Sequence, residues 1–311
     1  MTALAMVFPG QGSQSPGMCE AWAARPEVAA TLDEADDVLG RALSRVIQSG
    51  PADELDLTVN TQPAMLVVDV ALWRAWQAAG GPAPQVLAGH SLGEYAALVA
   101  AEVLEFSDAL KLVQQRAEAM QSAVPQGEGA MAAIIGLDEE QVLALCEEQA
   151  QGDCLEAVNF NAPGQIVVAG HASAVDRILS AAKPAGARLA RRLPVSVPAH
   201  SRLMAPVAET LAGALAGVTV KAPAVPVLHN VDGAPREKPQ DIREALAQQV
   251  MQPVRWVTTQ RAMAKDYGVS HGIECGPGQV LCGLAKRSVK SVAFSPLAGP
   301  AAMQTLIEEM A

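Results

Sequence analysis

Aromatic residues are scarce in this chain, 3% of 311 residues, so its core must be packed mainly from aliphatic side chains. Charged residues are also few, 18% against 50% hydrophobic, a balance that excludes a disordered chain. Positive charge is in shortest supply. There are 22 Lys and Arg against 33 Asp and Glu, for a net charge of −11. Such a chain is a poor match for nucleic acid or an anionic membrane surface, and any anionic partner would need a local basic patch. The five cysteines, Cys19, Cys146, Cys154, Cys275 and Cys282, show no C-x-x-C or His/Cys ligand spacing. That pattern indicates neither a disulfide framework nor a metal site, and they read as reduced core cysteines. No apolar run is long enough to span a bilayer, and the run 3–8 lacks the length and basic flank of a secretory signal. The expectation is a soluble cytoplasmic protein.

Glycine and proline are plentiful, 25 and 21, as a chain with many tight turns requires. The first part alternates short apolar strands with helices. Strands are expected over 4–8 and 86–88, and helices over 65–79 and 94–101. A further helix is expected to be N-capped by Ser107, with Asp108 in its first turn. This alternation implies a mostly parallel sheet covered on both faces. The middle has another rhythm. Strand 130–137, a helix capped by Asp138, strands 155–160 and 165–169, helix 172–182 and strand 188–193 follow in turn. That is the β-α-β-β-α-β order of a ferredoxin-like unit. The fold class expected is therefore α/β, with this unit (128–194) inserted in a larger domain made of 1–127 and 195–311. The Pro-rich stretch 221–240 is expected to loop around a short strand, 225–228.

The most informative motif is Gly89-His90-Ser91-Leu92-Gly93. G-x-S-x-G after an apolar strand and before an apolar helix is the context of a nucleophile elbow. The helix amides then point where an oxyanion would form. A serine nucleophile needs a base. Besides His90, which the turn aims away from the hydroxyl, the histidines are His171, His200, His229 and His271. His200 ends an extended segment, Pro194-Val195-Ser196-Val197-Pro198-Ala199-His200; on spacing it is a base or a structural histidine. Phe8-Pro9-Gly10-Gln11-Gly12-Ser13-Gln14 is a second glycine-rich strand end, expected beside the Ser91 turn. Arg116 falls on the apolar face formed by Ala109, Leu112, Val113, Ala117 and Met120. A guanidinium there must reach solvent or meet an anion.

Taken together, these pieces resemble the malonyl-CoA:acyl carrier protein transacylase family over nearly the whole chain. The resemblance rests on Phe8–Gln14, Thr61-Gln62-Pro63-Ala64, Gly89-His90-Ser91-Leu92-Gly93-Glu94-Tyr95, and Gln115-Arg116. It continues through Gly129-Ala130-Met131-Ala132-Ala133, Asn159-Phe160-Asn161-Ala162-Pro163-Gly164-Gln165, Pro194 to His200, Asn230-Val231-Asp232, Gln249 with Pro253-Val254, and Gly276-Pro277-Gly278. It implies an α/β-hydrolase-like core with the ferredoxin-like insert. It implies Ser91 as acylated nucleophile and His200 as base, and backbone amides of Gln11 and Leu92 as oxyanion hole. Arg116 would grip the malonyl carboxylate, and a backbone carbonyl near Gln249 would orient His200. Transfer from malonyl-CoA to acyl carrier protein in fatty acid synthesis would then need neither metal nor other cofactor. Val197-Pro198-Ala199-His200 fits a malonyl enzyme better than one selecting α-methylated groups. His229 stands where a second asparagine would be expected.

Acyl carrier proteins are usually acidic, so docking on this acidic chain would need a basic patch. Candidates are Lys183, Arg188, Arg191 and Arg192 on the insert, with Lys286 and Arg287 beyond it. Three other functions would make their own demands on these residues. A polyketide-pathway malonyl acyltransferase would share every motif. A serine thioesterase or other hydrolase would orient its histidine with a carboxylate, for which Asp176 is among the acids in the right interval. A non-enzymatic carrier-binding module would not need Ser91, His200 and Arg116 together.

Overall fold

The computed structural model describes residues 3–195 and 197–310; Ser196, in the segment leading to His200, lies outside them. Its strands are, in chain order, β1 (Leu4–Phe8), β2 (Val86–Gly89), β3 (Gly129–Ile135), β4 (Leu155–Ala162), β5 (Gln165–His171), β6 (Leu189–Arg192), β7 (Val227–Leu228), β8 (His271–Glu274) and β9 (Ala293–Pro296). Five form a parallel sheet in the order β7-β2-β1-β8-β9. Along β1, Leu4, Met6 and Phe8 enter one core, while Ala5 and Val7 enter another on the opposite face with Trp256 and Leu281. Burial on both faces is why this strand is an unbroken apolar run.

The other four strands form an antiparallel sheet in the order β4-β5-β3-β6. Together with helices Glu139–Ala150 and Ala172–Ala182 they enclose a separate apolar cluster that includes Ile134, Val142, Val168 and Ile178. This is the ferredoxin-like arrangement expected from element order. Asp138 caps its helix reciprocally with Gln141: it accepts from the Gln141 amide at 2.9 Å, and its own amide donates to Gln141 Oε1 at 3.0 Å. The antiparallel sheet is tied to the larger body through the segment before helix Trp256–Asp266, where Phe160 N donates to Val254 O at 2.9 Å and Val254 N to Val158 O at 2.8 Å.

Several boundaries differ from the sequence reading. The helix expected over 65–79 runs Thr58–Ala78, with Pro63 inside it. Proline has no N–H for the Val59 carbonyl, and Arg41 Nη2 donates to that carbonyl at 3.3 Å instead. Ser107 is not an N-cap. Its helix is Phe106–Ser122, Glu105 occupies the cap without a side-chain bond, and Ser107 lies in the first turn beside Asp108. In the Pro-rich stretch the strand shrinks to Val227–Leu228, and a helix starts at Pro239.

Candidate active site

The loop after β2 makes a sharp turn at Ser91. Ser91 adopts φ +52°, in the left-handed region where a side chain is strained. The turn is possible because its flanks are glycine: a Cβ on Gly89 would lie 1.9 Å from the Gly93 carbonyl carbon, and one on Gly93 2.2 Å from Phe8 O. His90 N donates to Phe8 O at 2.9 Å, which sets the glycine-rich end of β1 beside the elbow. The two backbone groups of Ser91 are held by side chains from a loop and from the end of helix Pro239–Gln249. Its N–H donates to Asn230 Oδ1 at 2.7 Å, and its carbonyl accepts from Gln249 Nε2 at 2.8 Å.

Ser91 Oγ lies 2.7 Å from His200 Nε2, and His200 Nδ1 lies 2.7 Å from the Gln249 carbonyl. A carbonyl only accepts, so Nδ1 carries the proton and Nε2 of the neutral ring faces the hydroxyl as acceptor. His200 is 2% exposed and lies near the Arg116 charge. Burial first, and then that charge, push its pKa down from 6.5 to about 3, against the opposing pull of the Gln249 carbonyl. The ring is therefore held neutral at neutral pH. Among the described residues no carboxylate orients it: Nδ1 meets the Gln249 carbonyl, and Asp176 pairs with Arg192 on an exposed face of the insert.

Arg116 is 1% exposed. Its Nη1 donates to Gln62 Oε1 at 2.5 Å, and its Nη2 to Gln249 Oε1 at 3.0 Å and Ser91 Oγ at 3.2 Å. Its Nε is buried with no partner among the described residues. Burial lowers its pKa, partly offset by Tyr95 and Glu94. A fixed cation with unused donor capacity beside the nucleophile is equipped to take a carboxylate.

Gln11 and Leu92 both line the cleft with Ser91, His200 and Arg116. Neither backbone N–H has a backbone acceptor among the described residues, which leaves both free for a substrate oxygen. The cleft holds about 120 Å³; Met120, Met131, Leu193, Val195, Val197 and Ala199 give it apolar walls, and Thr58, Gln62, His90 and Asn159 add polar groups. The structure thus brings together all six residues singled out for the site from the sequence. Among the described residues no group of three or more His, Cys, Asp or Glu side chains is placed to hold a metal ion.

Other residues around the site carry no signal in spacing. Gln62 fixes Arg116 from the proline-containing helix, with its amide nitrogen turned to Met120 Sδ at 3.5 Å. Glu94, 1% exposed, accepts from Asn230 N at 3.0 Å and Gln249 Nε2 at 2.9 Å, and its other oxygen lies 2.7 Å from His229 Nδ1. His90 faces away from Ser91, as expected, with Nε2 2.7 Å from Asn161 Oδ1 on β4. Of the basic candidates, Arg192 is tied to Asp176 and Arg287 to Gln165 Oε1, while Lys183, Arg188, Arg191 and Lys286 are exposed.

A strained serine, a neutral histidine and waiting amides at one cleft define an acyl-transfer site. The chain belongs to the family described as acyl transferase domain, whose model matches residues 5–310. Its relatives are narrower in kind. The malonyl CoA-acyl carrier protein transacylase of Escherichia coli (strain K12) is 52% identical over 309 residues, covering 99% of this chain and 100% of that protein. The structure of the malonyl CoA-acyl carrier protein transacylase from Coxiella burnetii superposes with a TM-score of 0.97 at 46% identity, over 99% of this chain and 97% of that one. A malonyl-transacylase in complex with its type II PKS acyl-carrier protein superposes equally well, with a TM-score of 0.97 at 48% identity over 99% of this chain and 100% of that one. These relatives carry the family name that the sequence motifs resemble. Among the described residues no helix is long and apolar enough to cross a membrane.

Proposed function

We propose that this protein transfers the malonyl group of malonyl-CoA to the phosphopantetheine thiol of acyl carrier protein, supplying fatty acid chain elongation. The observation that carries the reading is a buried guanidinium 3.2 Å from the same serine oxygen that a neutral histidine touches at 2.7 Å. In the first half-reaction His200 Nε2 takes the Ser91 proton as Oγ attacks the thioester carbonyl. The Gln249 carbonyl steadies the imidazolium, and the Gln11 and Leu92 amides hold the oxyanion. The C–S bond breaks, CoA leaves with the proton from His200, and a malonyl-serine ester remains. In the second half His200 takes the proton of the carrier thiol, whose sulfur attacks the ester, and returns a proton to Ser91 Oγ. Arg116 binds the malonyl carboxylate throughout. The apolar cleft walls and this anchoring favour the thiol over water.

The catalytic body in this reading is 1–127 with 195–311, and 128–194 is an insert that walls the cleft. The exposed Lys183, Arg188, Arg191 and Lys286 are its carrier-facing cations. Location in the cytoplasm agrees with five unpaired, buried cysteines. A polyketide-pathway carrier is the second reading, favoured by the likeness to the transacylase complexed with a type II PKS carrier. Intact mass after mixing with malonyl-CoA tests the reading. A malonyl adduct is expected on the parent and none on Ser91→Ala, with transfer reduced by at least about 10³-fold. An adduct on the Ala variant would place the nucleophile elsewhere.

A further inference from the structure

Glu94 lies in the first turn of helix Gly93–Ala100 and reaches back beneath the elbow. Its carboxylate is surrounded by three polar partners: His229 Nδ1 at 2.7 Å, Asn230 N at 3.0 Å and Gln249 Nε2 at 2.9 Å. A carboxylate only accepts, so all three donate, and His229 must carry its proton on Nδ1. His229 is wholly buried, and its Nε2 has no partner among the described residues. Among the described residues its one side-chain hydrogen bond is to Glu94.

What Glu94 holds is the more telling fact. One hydrogen of Gln249 Nε2 goes to Glu94 and the other to the Ser91 carbonyl at 2.8 Å. That leaves Gln249 Oε1 turned to Arg116 Nη2 at 3.0 Å, and a flipped amide would set nitrogen against guanidinium. The Asn230 side chain, beside the Asn230 amide that Glu94 anchors, bridges Gly89 O at 2.7 Å and Ser91 N at 2.7 Å. One carboxylate that touches neither nucleophile nor cation therefore helps to set both, with Gln62 as the second hold on Arg116.

We propose that Glu94, itself aimed by His229, is a positioning residue: it fixes the Gln249 amide so that Arg116 and Ser91 keep the spacing that selects a carboxylated acyl group. This deepens the function proposed above and rests on it. Removing the acceptor frees Gln249 to rotate and Arg116 to drift, and displacements of this kind cost about 10- to 100-fold in rate.

The test compares kcat and KM for malonyl-CoA and acetyl-CoA in Glu94→Ala, Glu94→Gln, Gln249→Ala and the Glu94→Ala/Gln249→Ala double variant. Expected for Glu94→Ala is a 10- to 100-fold lower kcat/KM for malonyl-CoA and a smaller malonyl-over-acetyl preference. Glu94→Gln keeps an acceptor oxygen, and its amide can face the other tautomer of His229, so it should restore most of both. In the Gln249→Ala background, Glu94→Ala should no longer change the preference. His229→Ala gives the same readout, more mildly, should Glu94→Ala fail to fold. An unchanged preference in Glu94→Ala and His229→Ala, or an equal change in both backgrounds, overturns the proposal. A parent that forms no malonyl adduct would instead sink the functional reading beneath it.

Discussion

Arg116 Nη2 sits 3.2 Å from Ser91 Oγ, so cation and nucleophile share one short span of the cleft. In a malonyl thioester a single methylene separates the carboxylate from the carbonyl under attack. A cation meant for that carboxylate has to stand about this close to the serine. A longer dicarboxylic acyl group would carry its charge past it.

The first prediction is drawn from that spacing. Arg116→Ala leaves a buried substrate carboxylate without its partner, at a cost of about 2–5 kcal/mol, or about 30- to 4,000-fold in kcat/KM for malonyl-CoA. Use of acetyl-CoA should stay the same or improve, and Arg116→Lys should recover only part of the loss because it lacks the planar fork. Steady-state kinetics with the two thioesters decide it. Equal losses for both would reduce Arg116 to a structural role.

His200 gives a prediction about acid. Its pKa is near 3 in the folded protein and near 6.5 when exposed. Between those values the unfolded chain binds the extra proton. Stability from this residue is therefore complete above about pH 6.5 and falls as pH drops toward 3. His200→Asn should show a shallower loss of urea midpoint between pH 7 and pH 4.5 than the parent. The base should also stay competent well below pH 6.5, so kcat/KM should show no acid limb there. A limb centred near pH 6.5 in free enzyme would mean that the ring is not held neutral.

Glycine at position 93 is required by backbone contact, since a Cβ there would meet Phe8 O at 2.2 Å. Gly93→Ala should cost about 3–5 kcal/mol, at the upper end of single-substitution effects, because backbone must shift to admit the Cβ. Urea unfolding monitored by the four buried tryptophans, Trp22, Trp73, Trp76 and Trp256, would measure it. A loss below about 1 kcal/mol would show that the elbow has room to relax.

Docking can be tested at Lys286, which is exposed, apart from the Gln165-bound Arg287 beside it. Lys286→Glu should raise KM for the acidic carrier more than for malonyl-CoA, and added salt should weaken carrier binding in the parent, given screening over about 8–10 Å. Equal effects on both substrates would assign the residue to CoA phosphates instead.

Much of this was legible because strong local rules agreed. G-x-S-x-G between an apolar strand and helix marks Ser91, and an arginine on an apolar helix face marks Arg116. The β-α-β-β-α-β order marks the insert. The residues that hold the site are different. Gln62, Glu94 and Asn230 are polar residues whose burial depends on contacts such as Gln249 to Glu94, 155 positions apart, and no periodicity announces those. Pro63, inside a helix whose apolar spacing is read only from 65, shows the same dependence on a distant contact. A proline normally ends a helix, and here a side chain from a separate loop, Arg41, satisfies the carbonyl it leaves open.

The pairing of β1 with β8 sets a timetable for synthesis. Leu4 stands opposite His271 in the sheet, so the first strand made cannot complete its pairing until nearly the last part of the chain exists. The antiparallel sheet needs only 129–192 and can form while the ribosome is still working. A nascent chain would thus carry a finished insert beside an apolar strand with one edge still open. Loss of the last 45 or so residues would leave that edge unpaired for good, and such a product should aggregate or be degraded rather than persist as a weak enzyme.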